Sequence, residues 1–167
     1  MKRIAIASIA LLFSISLFAQ PSAYNRIYNT YKGEEGVTSI RVPGCLMKFA
    51  GMCAGLDHDE RELVRCLKSV TVLTIDDNHL YPGVNFAREM DHSRMKGEYS
   101  LLMEVHDGEE DVIIATRQKR GKITDLIIVV GGDDNTLVHV RGRMKSDLLK
   151  NLAEVSGIEE LQIIAKI

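Results

Sequence analysis

Most of the features that point to a function are missing from this chain. There is no basic excess: 21 Lys and Arg stand against 23 Asp and Glu, a formal net charge of −2. That balance argues against nucleic acid or an anionic membrane surface as a partner. No internal repeat, low-complexity tract or linker divides the sequence. No serine sits in the strand–turn–helix context of a nucleophile elbow, and no His pair occupies the i, i+4 positions of a metalloprotease helix. Beyond the N-terminus no apolar run approaches the roughly 20 residues that span a bilayer.

The N-terminus itself is distinctive. Lys2 and Arg3 precede an apolar run, Ile4 to Phe18, broken only by Ser8, Ser14 and Ser16 and ending at Ala19. This pattern predicts a cleaved secretory signal peptide over residues 1–19 and one mature domain over 20–167, located in the periplasm, secreted or at the cell surface. The competing reading is an uncleaved anchor. A cut after Ala19 removes 19 of the 167 residues and leaves 148, enough to bury a real core. It also removes two cations and no acid, taking the net charge from −2 to −4. No transmembrane segment would remain. The nearest cysteine is Cys45, so no lipid-bearing cysteine is expected at the mature end.

Three cysteines, Cys45, Cys53 and Cys66, leave at least one thiol unpaired within a monomer. Cys45 and Cys53 share an apparent helix, roughly 12 Å apart, too far for a disulfide. Cys66 could bridge to either; the alternative is three buried thiols acting as small hydrophobes.

Tyr24, Ile27, Tyr28 and Tyr31 fall on one face of a short helix. Gly36 to Val42 alternates as a strand. The dense apolar segment Leu46 to Ala54 is expected to be a buried helix, followed by a helix over Glu60 to Lys68 and a β-branched strand over Val70 to Ile75. Pro82 opens an expected helix to about Met95, and Tyr99 to His106 fits helix or strand equally. Three strands then follow, Asp111–Gln118, Ile123–Val130 and Thr136–Arg143, joined by tight turns into a meander. Ser146 starts a helix through Leu149 and Leu152, and Ile158 to Ile167 could add a last strand. The predicted class is α+β: an antiparallel or mixed sheet of about five strands, including the three-stranded meander, packed with helices. Leu126, Ile128, Val138, Leu149 and Leu152 are the expected core. In the central strand Ile123, Ile127 and Val129 would face one way, and Leu126, Ile128 and Val130 the other. In the last, His139, Arg141 and Arg143 would lie opposite Val138 and Val140, on a face expected to stay wet.

These stretches resemble the domain of unknown function 4252 family of exported Bacteroidetes proteins. The resemblance runs through the N-terminal helix with Gly36-Val37-Thr38-Ser39-Ile40, through Ile123 to Asp134, and through Val138-His139-Val140-Arg141-Gly142 with the helix at Ser146. It implies the strand and turn pattern but no catalytic residue, since the family has no established activity. Many members are lipoproteins, and this chain departs from them in lacking the lipid-bearing cysteine.

Candidate chemistry is sparse. Asp57-His58-Asp59-Glu60-Arg61-Glu62 could supply metal ligands but reads equally as a solvated helix start favoured by the helix dipole. Gly131-Gly132-Asp133-Asp134-Asn135 lacks the ligand spacing of a calcium loop and suits a turn. A Cys/His pair such as Cys66 with His58 is conceivable, though Cys66 sits in an apolar helix pattern where a thiol is usually inert, and Arg117 to Lys122 forms a basic hairpin tip. The function expected is a non-enzymatic protein-interaction module of the bacterial envelope. It would need no cofactor and would act on another envelope protein or on itself. Contact is expected through an open sheet face or through Thr136–Arg143 as an edge strand, with His139, Arg141 and Arg143 as partner-binding residues. The alternatives are a Cys- or His/Asp-based hydrolase or redox enzyme, and a small-ligand or metal carrier.

Overall fold

The computed structural model describes residues 23–145 apart from Asp57, Asp77, residues 91–94 and Glu109. The expected signal peptide, the helix from Ser146 with Leu149 and Leu152, and the Ile158–Ile167 tail lie outside the described residues. In chain order the elements are α1 (Ala23–Tyr31), β1 (Val37–Pro43), α2 (Gly44–Cys53), α3 (His58–Cys66), β2 (Leu67–Ile75), a 3-10 turn (Asn78–Leu80), α4 (Phe86–Glu89), β3 (Ser100–His106), β4 (Glu110–Lys119), β5 (Lys122–Gly132) and β6 (Asn135–Met144). The class is α+β, as predicted.

The six strands form one antiparallel sheet in the order β1-β2-β6-β5-β4-β3. The expected meander is present and extends to β3. The ambiguous Tyr99–His106 stretch is that extra strand. Its register shifts between Leu101 and Met103, which breaks the period-2 pattern that would have marked it. The β4–β5 hairpin closes on Arg120 and Gly121, with φ of 55° and 68°. Two left-handed residues between paired Lys119 and Lys122 make a type I′ turn, whose twist matches the flanking strands.

Alternation along the strands separates two cores. On one face Leu73, Ile75, Ile113, Ala115, Ile127, Val129 and Leu137 pack beneath Ile27 and Tyr31 of α1 and Phe86 and Ala87 of α4. On the other, Val112, Ile114, Leu126, Ile128, Val140 and Met144 cluster with Leu67 and with Met47 and Cys66 of the α2–α3 pair. A continuous apolar row, Ile40–Val72–Val138–Ile128–Ile114–Met103, crosses all six strands there. Leu126 and Ile128 are buried as expected and Val138 is half-buried. Ile123 joins Leu126 and Ile128 rather than Ile127, because the register shifts between Ile123 and Asp125 and the bulge turns that side chain over.

Several expectations are corrected. Thr136–Arg143 is not an edge: β6 is hydrogen-bonded to β2 on one side and β5 on the other. Neither sheet face is open at its centre, where Ile127 and Leu126, on opposite faces, are both buried. The helix expected from Pro82 to Met95 reduces, among the described residues, to α4. Asn85 caps that helix by accepting from Arg88 N at 2.9 Å. Buried Asn135 accepts from Phe86 N at 2.9 Å and donates to the carbonyls of Val84 and Gly132, each at 3.1 Å. Finally, α2 is not a buried helix but the most exposed apolar element among the described residues.

Candidate functional site

Two places gather chemistry. The first lies on the α1 side of the sheet, where Ser69, Arg141, Asp125 and Arg117 are register neighbours across β2, β6, β5 and β4. Strand pairing therefore brings two guanidiniums to one carboxylate. Asp125 Oδ2 accepts from Arg117 Nε at 2.9 Å and Nη2 at 2.7 Å. His139, two residues before Arg141 on the same face, donates from Nε2 to Asp125 Oδ1 at 3.2 Å, and Arg141 Nε stands 3.7 Å from that oxygen. Burial acts to raise the Asp125 carboxyl, but the hydrogen bonds from His139 and Arg117 outweigh it and hold the group far below the usual carboxylate range. The Tyr24 ring stacks over His139 with centroids 4.0 Å apart. Arg117 lies over the Tyr99 ring and 3.8 Å from Glu98. Burial, before any charge effect, pushes the Tyr99 hydroxyl up to about 12.

These residues line a polar cleft of about 250 Å³ bounded by Tyr24, Asn25, Glu98, Tyr99, Arg117, Asp125 and Arg141. Its charges balance, two cations against two carboxylates. The His139–Asp125 pair has the form of a base with its orienting acid, but the imidazole is only 2% exposed and capped by Tyr24, and no serine or cysteine lines the cleft. The ion-pair network ties the strands of the meander together, and α1 joins it through the Tyr24 ring against His139.

A second polar knot is structural. Buried Asp111 accepts from Asn85 Nδ2 and Arg88 Nε, each at 2.7 Å, and pairs with His106 Nδ1 at 2.6 Å. The hydrogen bond from His106 is the main reason the Asp111 carboxyl lies below its ordinary value, and the same bond raises the imidazole. Gly131 faces this knot. A Cβ there would overlap the Asn85 side chain and stand 2.7 Å from Ala87 N, so the glycine allows α4 to touch the sheet.

The second place is α2. Met47 packs on the second core, and Gly51 faces Leu56 and Val64. Those two positions, one helical turn apart, anchor the helix. The opposite arc carries Leu46, Phe49 and Met52 at 55%, 65% and 81% exposure, with exposed Cys45 and Cys53 among them. Lys48 is the only charged residue in the helix.

Of the residues expected to bind a partner, Arg141 and Arg143 are exposed, whereas His139 is buried against Asp125 and Tyr24. The face expected to stay wet is thus roofed by α1 at His139. Asp125 and Tyr24 were missed as members of this cluster. A lone carboxylate inside the apolar run Ile123–Val130 was the available signal. All three cysteines are free, and Cys66 is half-buried. His58 and Cys66 stand at opposite ends of α3, roughly 12 Å apart. Among the described residues no three His, Cys, Asp or Glu side chains come together as metal ligands; Asp57 and the side chain of Asp59 lie outside that description. Nor is any described helix long and apolar enough to cross a membrane.

An α+β sheet with two cores, a roofed ion-pair cluster and an outward apolar helix defines a small globular domain without a recognisable catalytic centre among its described residues. The family model described as Domain of unknown function (DUF4252) matches residues 31–152, and the chain belongs to that family. No curated protein and no solved structure matches it.

Proposed function

We propose that this chain is an exported, non-enzymatic contact module of the bacterial envelope, working through protein–protein association. The observation that carries this reading is the outward arc of α2. Leu46, Phe49 and Met52 expose apolar surface that a solitary soluble domain gains by covering. The Lys2-Arg3 start and the apolar run to Ala19 support export. Exposed Arg141 and Arg143 would add polar contacts, while His139 acts only by positioning Asp125. The test is capture of partners from the native envelope fraction, comparing wild type with Phe49→Glu, a change at an exposed position that leaves both cores intact. Loss of specific partners in the variant supports the reading. Identical capture by both proteins refutes it.

The cleft beside Asp125 favours a second reading, a small-ligand carrier. Its 250 Å³ falls just below the usual range of such sites, roughly 300–1,000 Å³, and its lining is polar rather than apolar. A calorimetric screen of small carboxylates against wild type and Arg141→Ala would decide it. Binding that Arg141→Ala abolishes supports the carrier, and no binding rejects it.

A further inference from the structure

The α2 sequence is close to a palindrome about Phe49. Moving outward, the mates are Lys48 and Ala50, Met47 and Gly51, Leu46 and Met52, and Cys45 and Cys53. Met47 and Gly51, which differ greatly in size, face the protein's own interior, and Lys48 and Ala50, which also differ, lie at the flanks of the outward arc. Every other mate is exposed. An isologous contact requires a surface complementary to itself, and an antiparallel helix pair about a two-fold axis through Phe49 brings each residue near the contact line level with its mate. Leu46 then meets Met52 of the partner subunit, and Cys45 meets Cys53 of the partner subunit. Lys48, about 100° around the helix from Phe49, lies beside this contact rather than in it, where its long side chain can extend into solvent.

Resting on the contact reading above, we infer that the occupant of this face is α2 of a second copy of this chain, packed antiparallel about Phe49. The three large apolar side chains, half to four-fifths exposed, would bury roughly 600–800 Å² in total, less than the roughly 1,200–2,000 Å² of a standard stable interface. The dimer is therefore weak, with a Kd on the order of 10 μM. Two thiol pairs flank its centre. Glutathione disulfide would lock each pair. A cysteine thiolate attacks the disulfide and releases one glutathione thiolate, and the facing cysteine then displaces the second glutathione. Two cysteine thiols are oxidised, one glutathione disulfide is reduced to two thiols, and the two cysteine protons pass to the released thiolates.

The test is sedimentation of the full chain across a hundredfold concentration range around about 10 μM, followed by oxidation with glutathione disulfide and peptide mapping. The expected result is a concentration-dependent dimer in wild type and a monomer in both Phe49→Glu and Met52→Glu. Circular dichroism of each variant should match wild type. Oxidation should give a covalent dimer whose bridges join Cys45 to Cys53. A monomer throughout the range overturns the inference, as do bridges that join Cys45 to Cys45. If wild type is monomeric yet captures an envelope partner that Phe49→Glu loses, self-pairing fails while the contact reading stands. If Phe49→Glu changes neither measurement, both fail.

Discussion

Replacing Asp125 with Asn removes one charge from the centre of the α1-side cluster while keeping its size. The carboxylate accepts two hydrogen bonds from Arg117 and one from His139, and its side chain is 3% exposed. His139 can change tautomer and accept from the new amide, so that bond survives in neutral form. The amide oxygen then stands in place of Oδ2 and still accepts from Arg117, but the negative charge that made this an ion pair is gone. Breaking a fully buried pair costs about 3–5 kcal/mol. Arg117 is 39% exposed and keeps Glu98 nearby, which returns part of that loss. We expect Asp125→Asn to cost about 2–3 kcal/mol at pH 7, a fall in Tm of roughly 5–12 °C for a domain of this size. The pH dependence has a definite sign. A carboxyl held low in the folded state stabilises fully above its ordinary value of 3.8, and that contribution is lost as pH falls below it. The gap between wild type and variant should stay constant from about pH 7 to pH 5 and narrow below about pH 4. Urea titrations of both proteins at several pH values measure it. A loss under about 1 kcal/mol at neutral pH, or a gap that does not narrow in acid, would refute the role assigned to the carboxylate.

Gly131→Ala should be severely destabilising, by about 3 kcal/mol or more, because its Cβ meets the Asn85 side chain and the Ala87 amide; thermal melts would show it, and an unchanged midpoint would mean that α4 does not sit against β5. Thr116 is buried and its hydroxyl has no hydrogen-bond partner, so Thr116→Val should raise stability by about 1 kcal/mol in denaturant titration. Arg120 holds φ at 55° in the type I′ turn, so Arg120→Asn, which creates the favoured Asn-Gly pair, should stabilise by about 0.5–1 kcal/mol; a destabilised variant would argue for a different turn.

The meander was legible because β4, β5 and β6 combine β-branched runs with short turns, and every signal there is local. The interior place of β6 was not. Its pairing with β2 joins residues 60 to 75 positions apart, from Ile75↔Asn135 to Leu67↔Gly142, and periodicity carries no record of such distances. Alternation put His139 and Arg141 on one face, where both reach Asp125. It could not show that α1 would lay Tyr24 over the first of them. The apolar character of α2 led to the wrong environment for the same reason. Composition reports what a helix would prefer to bury, and Phe49 and Met52 do not bury it within the described chain.

The position of β6 also bears on the order in which this protein folds. The β1–β2 half, with α2 and α3 between its strands, and the four-stranded β3–β6 half are each built from contacts between near neighbours in the chain. β6, the last strand described, is the one strand that joins them in the sheet, through its ladder with β2. Closing a loop of that length is entropically costly before the ladder forms, so the seam should zip late and limit the folding rate. Until then β2 has one unpaired edge, and after closure the β2–β6 ladder is where the two halves would part first. Native-state hydrogen exchange should find β1 and β2 opening together, at lower free energy than β4 and β5.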